Sequence, residues 1–272
     1  MLLLGIALLS LVVSLIVYVC SGALWTLPAA FAGTFFGLLA LGFAGLMYMC
    51  KRVDQDVPQE EDDKFYRIVA GLIIQSALPV LRIRVKKSGI EKVPTDGRFL
   101  LICNHCNDSD PIILLDCLRK SQLAFISKRE NKTMFVIGPM MHKIQCQLIN
   151  RENDREALKT IIKCIQILKE DKASIAVFPE GGILSEDGKL HHFRPGVFKI
   201  AQKANVPIVV CTLKNTKDVV KNIKTMRPSS VEMKVLDVIP AEELKGVTTV
   251  EIAQRCYEMM AAELGPELIA ED

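Results

Sequence analysis

The pattern of apolar and charged positions divides the chain at residue 50. Residues 1–50 contain no Asp, Glu, Lys, Arg or His. A helix needs about 20 apolar residues to cross a bilayer. The stretch therefore predicts two spans, near Leu2–Cys20 and Leu27–Met49, with Ser21-Gly22 and Pro28 marking the turn. A cleaved leader fits poorly, because there is no basic start and the apolar run is too long. Residues 53–63 are acidic and read as a linker. From Lys64 to Leu78, Phe65, Ile68, Val69, Leu72 and Ile73 fall on one helix face, and Pro79 closes the run. That spacing predicts an interfacial helix lying on a membrane or, equally, a core helix packed on a sheet.

From residue 80 the pattern alternates between β-branched runs and helical periodicity. The predicted strands are 80–85, 98–103, 123–127, 144–149, 174–178, 207–213 and 231–236. Predicted helices are 152–170, 195–203 and 248–264, the first with Leu158, Ile161, Ile162, Ile165 and Leu168 on one face. Strands alternating with helices predict an α/β fold, a mostly parallel mixed sheet flanked by helices and preceded by a two-helix transmembrane hairpin. The domains are then 1–52 (spans), 53–80 (linker and amphipathic helix) and 81–272 (α/β domain).

Composition narrows the class. The net charge of +3 lies entirely after residue 50, too small for a nucleic-acid binder, and no such motif is present. Basic residues group locally at Arg82, Arg84, Lys86 and Lys87, and again from Lys214 to Arg227. Either group fits anionic lipid head groups or a solvated face. Lys51-Arg52 closes the second span, and positive charge favours the cytoplasmic side. The α/β domain is thus expected in the cytoplasm. The compact two-span form implies a bacterial plasma membrane. Nine cysteines without a regular framework suit a reducing compartment.

Two segments carry candidate chemistry. Asn104-His105-Cys106-Asn107-Asp108-Ser109-Asp110 follows the apolar run ending at Cys103, and Phe178-Pro179-Glu180-Gly181-Gly182 follows the run ending at Val177. Ligands of open α/β sheets bind beyond the carboxyl ends of strands. His105 is a candidate general base, and Asp110, or less well Asp108, a candidate to orient it. Asp110 before Pro111 also reads as a helix N-cap. No residue has the context of an enzyme nucleophile, so a substrate hydroxyl would supply the attacking group. Glu180 could orient a hydroxyl or a basic side chain, while the N–H groups of Gly181 and Gly182 could hold an oxyanion or phosphate. Cys103-Asn104-His105-Cys106 contains a Cys-x-x-Cys, but a structural zinc site needs a second pair and none is present. No metal is expected.

These motifs resemble the membrane-bound glycerolipid acyltransferases of the lysophosphatidic acid acyltransferase family. His105 and Asp110 match its His-x4-Asp element, and Phe178 to Gly181 its Phe-Pro-Glu-Gly element. Ser127-Lys128-Arg129-Glu130 with Gly138 and Asn150-Arg151 is similar to its basic block, and Val206-Pro207-Ile208-Val209 to its hydrophobic block. The resemblance implies transfer of an acyl group from an acyl-carrier-protein or coenzyme A thioester to a lysophospholipid hydroxyl, in phospholipid synthesis and without a further cofactor. It implies His105 as base, Asp110 as its partner, Glu180, Gly181 and Gly182 around the acceptor, and Lys128, Arg129 and Arg151 toward its phosphate. The family's Gly-Thr-Arg continuation is absent, since the chain reads Gly181-Gly182-Ile183. Arg194 is the candidate substitute. Lysophosphatidic acid is the leading acceptor. A lyso-aminolipid or a head-grouped lysophospholipid is the alternative, and a membrane-anchored lipid-binding protein without turnover is the alternative of another class.

Overall fold

The computed structural model describes residues 2–150, 152–184 and 188–270. Two apolar helices come first, α1 (Leu2–Ser21) and α2 (Thr26–Lys51). At 1.5 Å per residue they are roughly 30 and 39 Å long, enough to cross a hydrocarbon core. They pack on each other, with Ser14 Oγ donating to Leu27 O at 2.6 Å, and leave large apolar side chains such as Leu8 and Phe36 exposed. Pro28 sits in the first turn of α2, where its missing N–H costs nothing.

Helix α3 (Lys64–Val80) follows the linker and is capped by the Asp63 carboxylate, which accepts from Phe65 N and Tyr66 N. Pro79 falls inside its last turn, so the helix runs two residues past the expected end. Tyr66 Oη donates to Met49 O and ties α3 to α2. Arg67 reaches Leu123 O at 2.9 Å and Ile144 O at 3.2 Å, fastening α3 to the start of the sheet. Ile74 and Leu78 pack into the core while Phe65 and Ile68 stay exposed. One helix thus carries both faces that the periodicity left open.

Seven strands form one sheet in the order β1-β7-β6-β2-β5-β3-β4. They are β1 (Ile83–Ser88), β2 (Leu100–Cys103), β3 (Leu123–Lys128), β4 (Gln147–Ile149), β5 (Ser174–Val177), β6 (Ile208–Lys214) and β7 (Ser229–Ile239). The run β6-β2-β5-β3-β4 is parallel. β7 is antiparallel to β6, and β1 pairs parallel to β7, so these two strands at one end of the sheet run against the rest. β2 and β5 are buried at every position, as strands covered on both faces must be. The first strand was expected at 80–85. It starts at Ile83, because residues to Val80 continue α3. Ile144, expected in a strand, instead ends the helix before β4.

Helices cover both faces. α3, α4 (Asp110–Cys117) and α5 (Ile137–Lys143) lie on one side, where Leu78, Ile113 and Leu114 meet Leu101, Cys103 and Val209. α6 (Asp154–Lys169), α7 (Lys199–Ala204) and α9 (Thr249–Leu264) lie on the other, where Cys164, Ile200 and Cys256 meet Leu100, Ile102 and Ile175. α8 (Val219–Lys224) bridges β6 and β7. α6 is rotated from the expected face. It buries Thr160, Cys164, Ile167 and Leu168 and exposes Leu158 and Ile162. Thr160 Oγ donates to Leu148 O, which turns that face inward.

Candidate active site

Both motifs lie at the carboxyl edge of the parallel strands, on loops leaving the adjacent strands β2 and β5. Asn104 fixes the first loop. Its amide accepts from Leu213 N at 2.8 Å and donates to Leu213 O at 2.9 Å, pinning the end of β2 to β6. The side chain is buried, and each of these bonds replaces a ladder contact where the strands diverge.

His105 follows. Its Nδ1 lies 3.0 Å from Asp110 Oδ2. The same oxygen accepts Cys106 N at 2.8 Å and Asn107 N at 2.9 Å. Asp110 is fully buried. That oxygen is the acceptor of three contacts, so Nδ1 meets it with its N–H and Nε2 keeps the lone pair. Asp110 opens α4, but its carboxylate turns back to the preceding loop and does not cap the helix. The N-cap reading is thereby corrected. Among the described residues Asp110, and not Asp108, bonds the imidazole. The ring stacks on Phe178, with centroids 4.0 Å apart and planes 15° from parallel. It is mostly buried, and Nε2 has no hydrogen-bond partner among the described residues.

Glu180 was expected to face an acceptor. Instead it is 2% exposed, and both its oxygens are occupied: His105 N donates to Oε1 at 2.8 Å and His191 N to Oε2 at 2.9 Å. Burial pushes its carboxyl up to about 7, against the two N–H bonds that pull it down. Glu180 is therefore a clamp between the His105 loop and the 188–194 segment. The spacing of Pro-Glu-Gly-Gly carries no sign of this, because His191 belongs to no motif. Gly181 N donates to Phe178 O at 3.0 Å and is unavailable to an oxyanion, leaving Gly182 of the expected pair.

The 188–194 segment crosses the loop. Gly188 O accepts from Cys106 Sγ at 3.4 Å. Leu190 is buried and bonded on both sides to the C-terminal segment, through Leu268 O and Ala270 N. Arg194 lies against Gly181: a Cβ there would stand 2.5 Å from its Nε, and φ at Gly181 is +87°. Arg194 is exposed and has no ion pair among the described residues. It thus brings a guanidinium group beside the motif that lacks the usual arginine.

Lys128 ends β3, one strand beyond β5 on the same edge. Two strand spacings put it roughly 10 Å from the end of β2. Arg129 pairs with Glu156 at 3.4 Å, both well exposed. Arg151 lies outside the described residues. Of the Cys-x-x-Cys, Cys103 is buried in the sheet, and burial pushes its thiol well up and that of Cys106 to about 12.

With the geometry in hand, three comparisons bear on it. The profile of the family described as Acyltransferase matches residues 84–214, which contain every motif above. Over this stretch the chain is similar to that acyltransferase family. It is 29% identical over 180 residues to a protein of Mycoplasma pneumoniae described as a probable 1-acyl-sn-glycerol-3-phosphate acyltransferase, covering 64% of each chain. It is 33% identical over 155 residues to a chloroplastic 1-acyl-sn-glycerol-3-phosphate acyltransferase of Arabidopsis thaliana, covering 56% of this chain and 42% of that one. The matches thus span less than two thirds of these relatives' lengths. The fold is similar to that of PlsC from Thermotoga maritima, a 1-acyl-sn-glycerophosphate acyltransferase, with a TM-score of 0.64, 20% identity, and coverage of 82% of this chain and 88% of that one.

Proposed function

We propose that this acyltransferase moves a fatty acyl group from a thioester to the free hydroxyl of lysophosphatidic acid, giving phosphatidic acid. The observation that carries the reading is the His105–Asp110 pair, with Nε2 unbonded among the described residues. The curated relatives bear names of this activity.

In the proposed reaction the acceptor hydroxyl gives its proton to His105 Nε2 as its oxygen attacks the thioester carbonyl carbon. Asp110 steadies the imidazolium that forms. The tetrahedral intermediate collapses with cleavage of the C–S bond, and the departing thiolate takes the proton back from Nε2. General-base help of this kind supplies roughly 10²–10⁴-fold. Coenzyme A or an acyl carrier protein would hold the thioester, and no other cofactor enters. Among the described residues, Arg194 and Lys128 are cations placed for the acceptor's phosphate, as ammonium and guanidinium groups recognise it. Arg194 beside Gly181 favours lysophosphatidic acid over acceptors lacking a terminal phosphate.

The two apolar helices would anchor the enzyme in a membrane, with Lys51-Arg52 on the cytoplasmic side. The test is acyl transfer by detergent-solubilised protein offered lysophosphatidic acid and other lysolipids with both thioesters. Conversion of lysophosphatidic acid that disappears in His105→Ala supports the reading. Conversion of another lysolipid alone sinks the acceptor assignment, and no turnover under any pairing favours a binding protein.

A further inference from the structure

The second motif is gripped from a side that neither motif announces. Residues 188–194 form no helix and no strand, so bonds to other segments fix their place. Those bonds change direction along the segment. Leu190 N donates to Leu268 O at 2.7 Å, and Leu190 O accepts from Ala270 N at 3.0 Å, a parallel bridge to the chain beyond α9. His191 N turns the other way, to Glu180 Oε2 at 2.9 Å. His192 stacks on Tyr257 of α9 with centroids 5.4 Å apart, and Phe193 meets the same ring edge-on at 5.4 Å. Arg194 N then returns to the motif and donates to Pro179 O at 2.8 Å.

The chain beyond α9 is shaped for this contact. Gly265 ends the helix at φ +88°, a value that favours glycine. Pro266–Leu268 form a short helical turn, and Ile269 after it is extended. The turn lays residues 268–270 beside Leu190, which is buried. From there a path of bonds leads to the base. His191 follows Leu190 and holds one oxygen of Glu180, and the other oxygen takes the N–H of His105 at 2.8 Å. Such ordering matters, since a displacement of about 1 Å at a reacting group costs roughly 10²-fold in rate.

We infer that the 268–270 bridge, with Tyr257, is a positioning element of the active site: it holds the 190–194 segment against Glu180 and so sets the His105 loop. It acts through Glu180 rather than on the substrate. The inference deepens the proposed function and rests on it for the reaction it serves.

The test uses the full-length protein in detergent. Ala270→Pro removes the N–H that bonds Leu190 O, and the residue before it is already extended, as a following proline requires. Ala270→Ser keeps that N–H. Pro266→Gly, at an exposed residue, loosens the turn and leaves the bridging groups in place. Ile252→Val trims a buried side chain near the start of α9, at the far end from the bridge, and controls for stability. Circular dichroism checks the fold, and if Ala270→Pro does not fold, the milder Pro266→Gly decides.

Amide exchange at His105 and His191 should rise about tenfold or more in Ala270→Pro and less in Pro266→Gly. It should keep the wild-type rate in Ala270→Ser and Ile252→Val. In acyl transfer, kcat of Ala270→Pro should fall on the order of 10–100-fold with both KM values nearly unchanged. Glu180→Gln offers one acceptor oxygen in place of two and cannot bridge both N–H groups. The double variant should therefore fall little below Glu180→Gln alone. Unchanged exchange at both histidines in the two tail variants, or unchanged kcat in active protein, overturns the positioning role. So does a kcat loss equalled by Ile252→Val, or one that adds in full to that of Glu180→Gln. Absent turnover in the wild type sinks the functional reading alone, because exchange at His105 and His191 still decides whether the bridge sets the loop.

Discussion

Asp110 Oδ2 holds His105 Nδ1 at 3.0 Å and also accepts the backbone N–H groups of Cys106 and Asn107. One atom therefore sets the shape of the loop and the tautomer of the base. An asparagine can retain the oxygen for those N–H groups but cannot stabilise an imidazolium. Asp110→Asn should lower kcat by about 10²–10⁴-fold with a smaller effect on thermal stability. Combined with His105→Ala it should cost little more than either change alone, because the two act as a unit. Additive losses in steady-state kinetics would sink the pairing.

Glu180 makes a pH prediction. Its carboxyl, raised by burial from 4.5 to about 7, must be ionised to accept from both His105 N and His191 N. As pH rises from 4.5 toward 7 the unfolded chain loses this proton before the folded one. The Glu180 contribution to stability therefore falls across that window and is level above it. Activity runs the opposite way, since the clamp needs Glu180 ionised. The logarithm of kcat/KM should fall as pH drops below about 7. Glu180→Gln should weaken that fall and lower the plateau. An unchanged profile in that variant would rule the clamp out of catalysis.

Asn104 is expected to matter for stability first. Removing its amide leaves Leu213 N and O unpaired at a buried strand end. Each such group costs about 1–3 kcal/mol, and about 1 kcal/mol lowers the Tm of a domain this size by roughly 2–4 °C. Asn104→Ala should show that loss in a thermal melt, and the displaced His105 loop should lower kcat as well. A melt matching the wild type would contradict the bonding described.

Much of the fold was legible because buried parallel strands read as unbroken apolar runs, as Leu100–Cys103 and Ser174–Val177 do. The His-x4-Asp spacing likewise placed both partners on one short loop. Direction was not legible. β1 and β7 carry ordinary strand patterns, and only their pairing reveals that they run against the other five. Neither was the role of Glu180, because its partner His191 lies eleven residues away on a segment without regular structure. The face of α6 misled for a related reason. Thr160 reads as polar surface, yet its hydroxyl bonds Leu148 O and the residue is buried. Pattern reading weighs apolarity and misses a polar group whose hydrogen bond carries it inside.

Arg194 is the residue on which the proposed acceptor can be tested. Its guanidinium group rests where a side chain at Gly181 would stand, with Nε at 2.5 Å and Cδ at 2.9 Å from a Cβ there. If it meets the acceptor's phosphate, Arg194→Ala should raise KM for lysophosphatidic acid about tenfold or more, a charge-assisted bond being worth roughly 1.5–3 kcal/mol. Arg194→Lys should recover only part of this, since an ammonium lacks the planar fork. KM for the thioester should stay unchanged. Gly181→Ala should act in the same direction, because the new methyl displaces the guanidinium and strains a backbone at φ +87°. The check is a kinetic comparison of lysophosphatidic acid with a lysolipid whose phosphate is esterified to a head group. An equal rise in KM for both acceptors would assign Arg194 to loop packing and return the choice of acceptor to Lys128 and its neighbours.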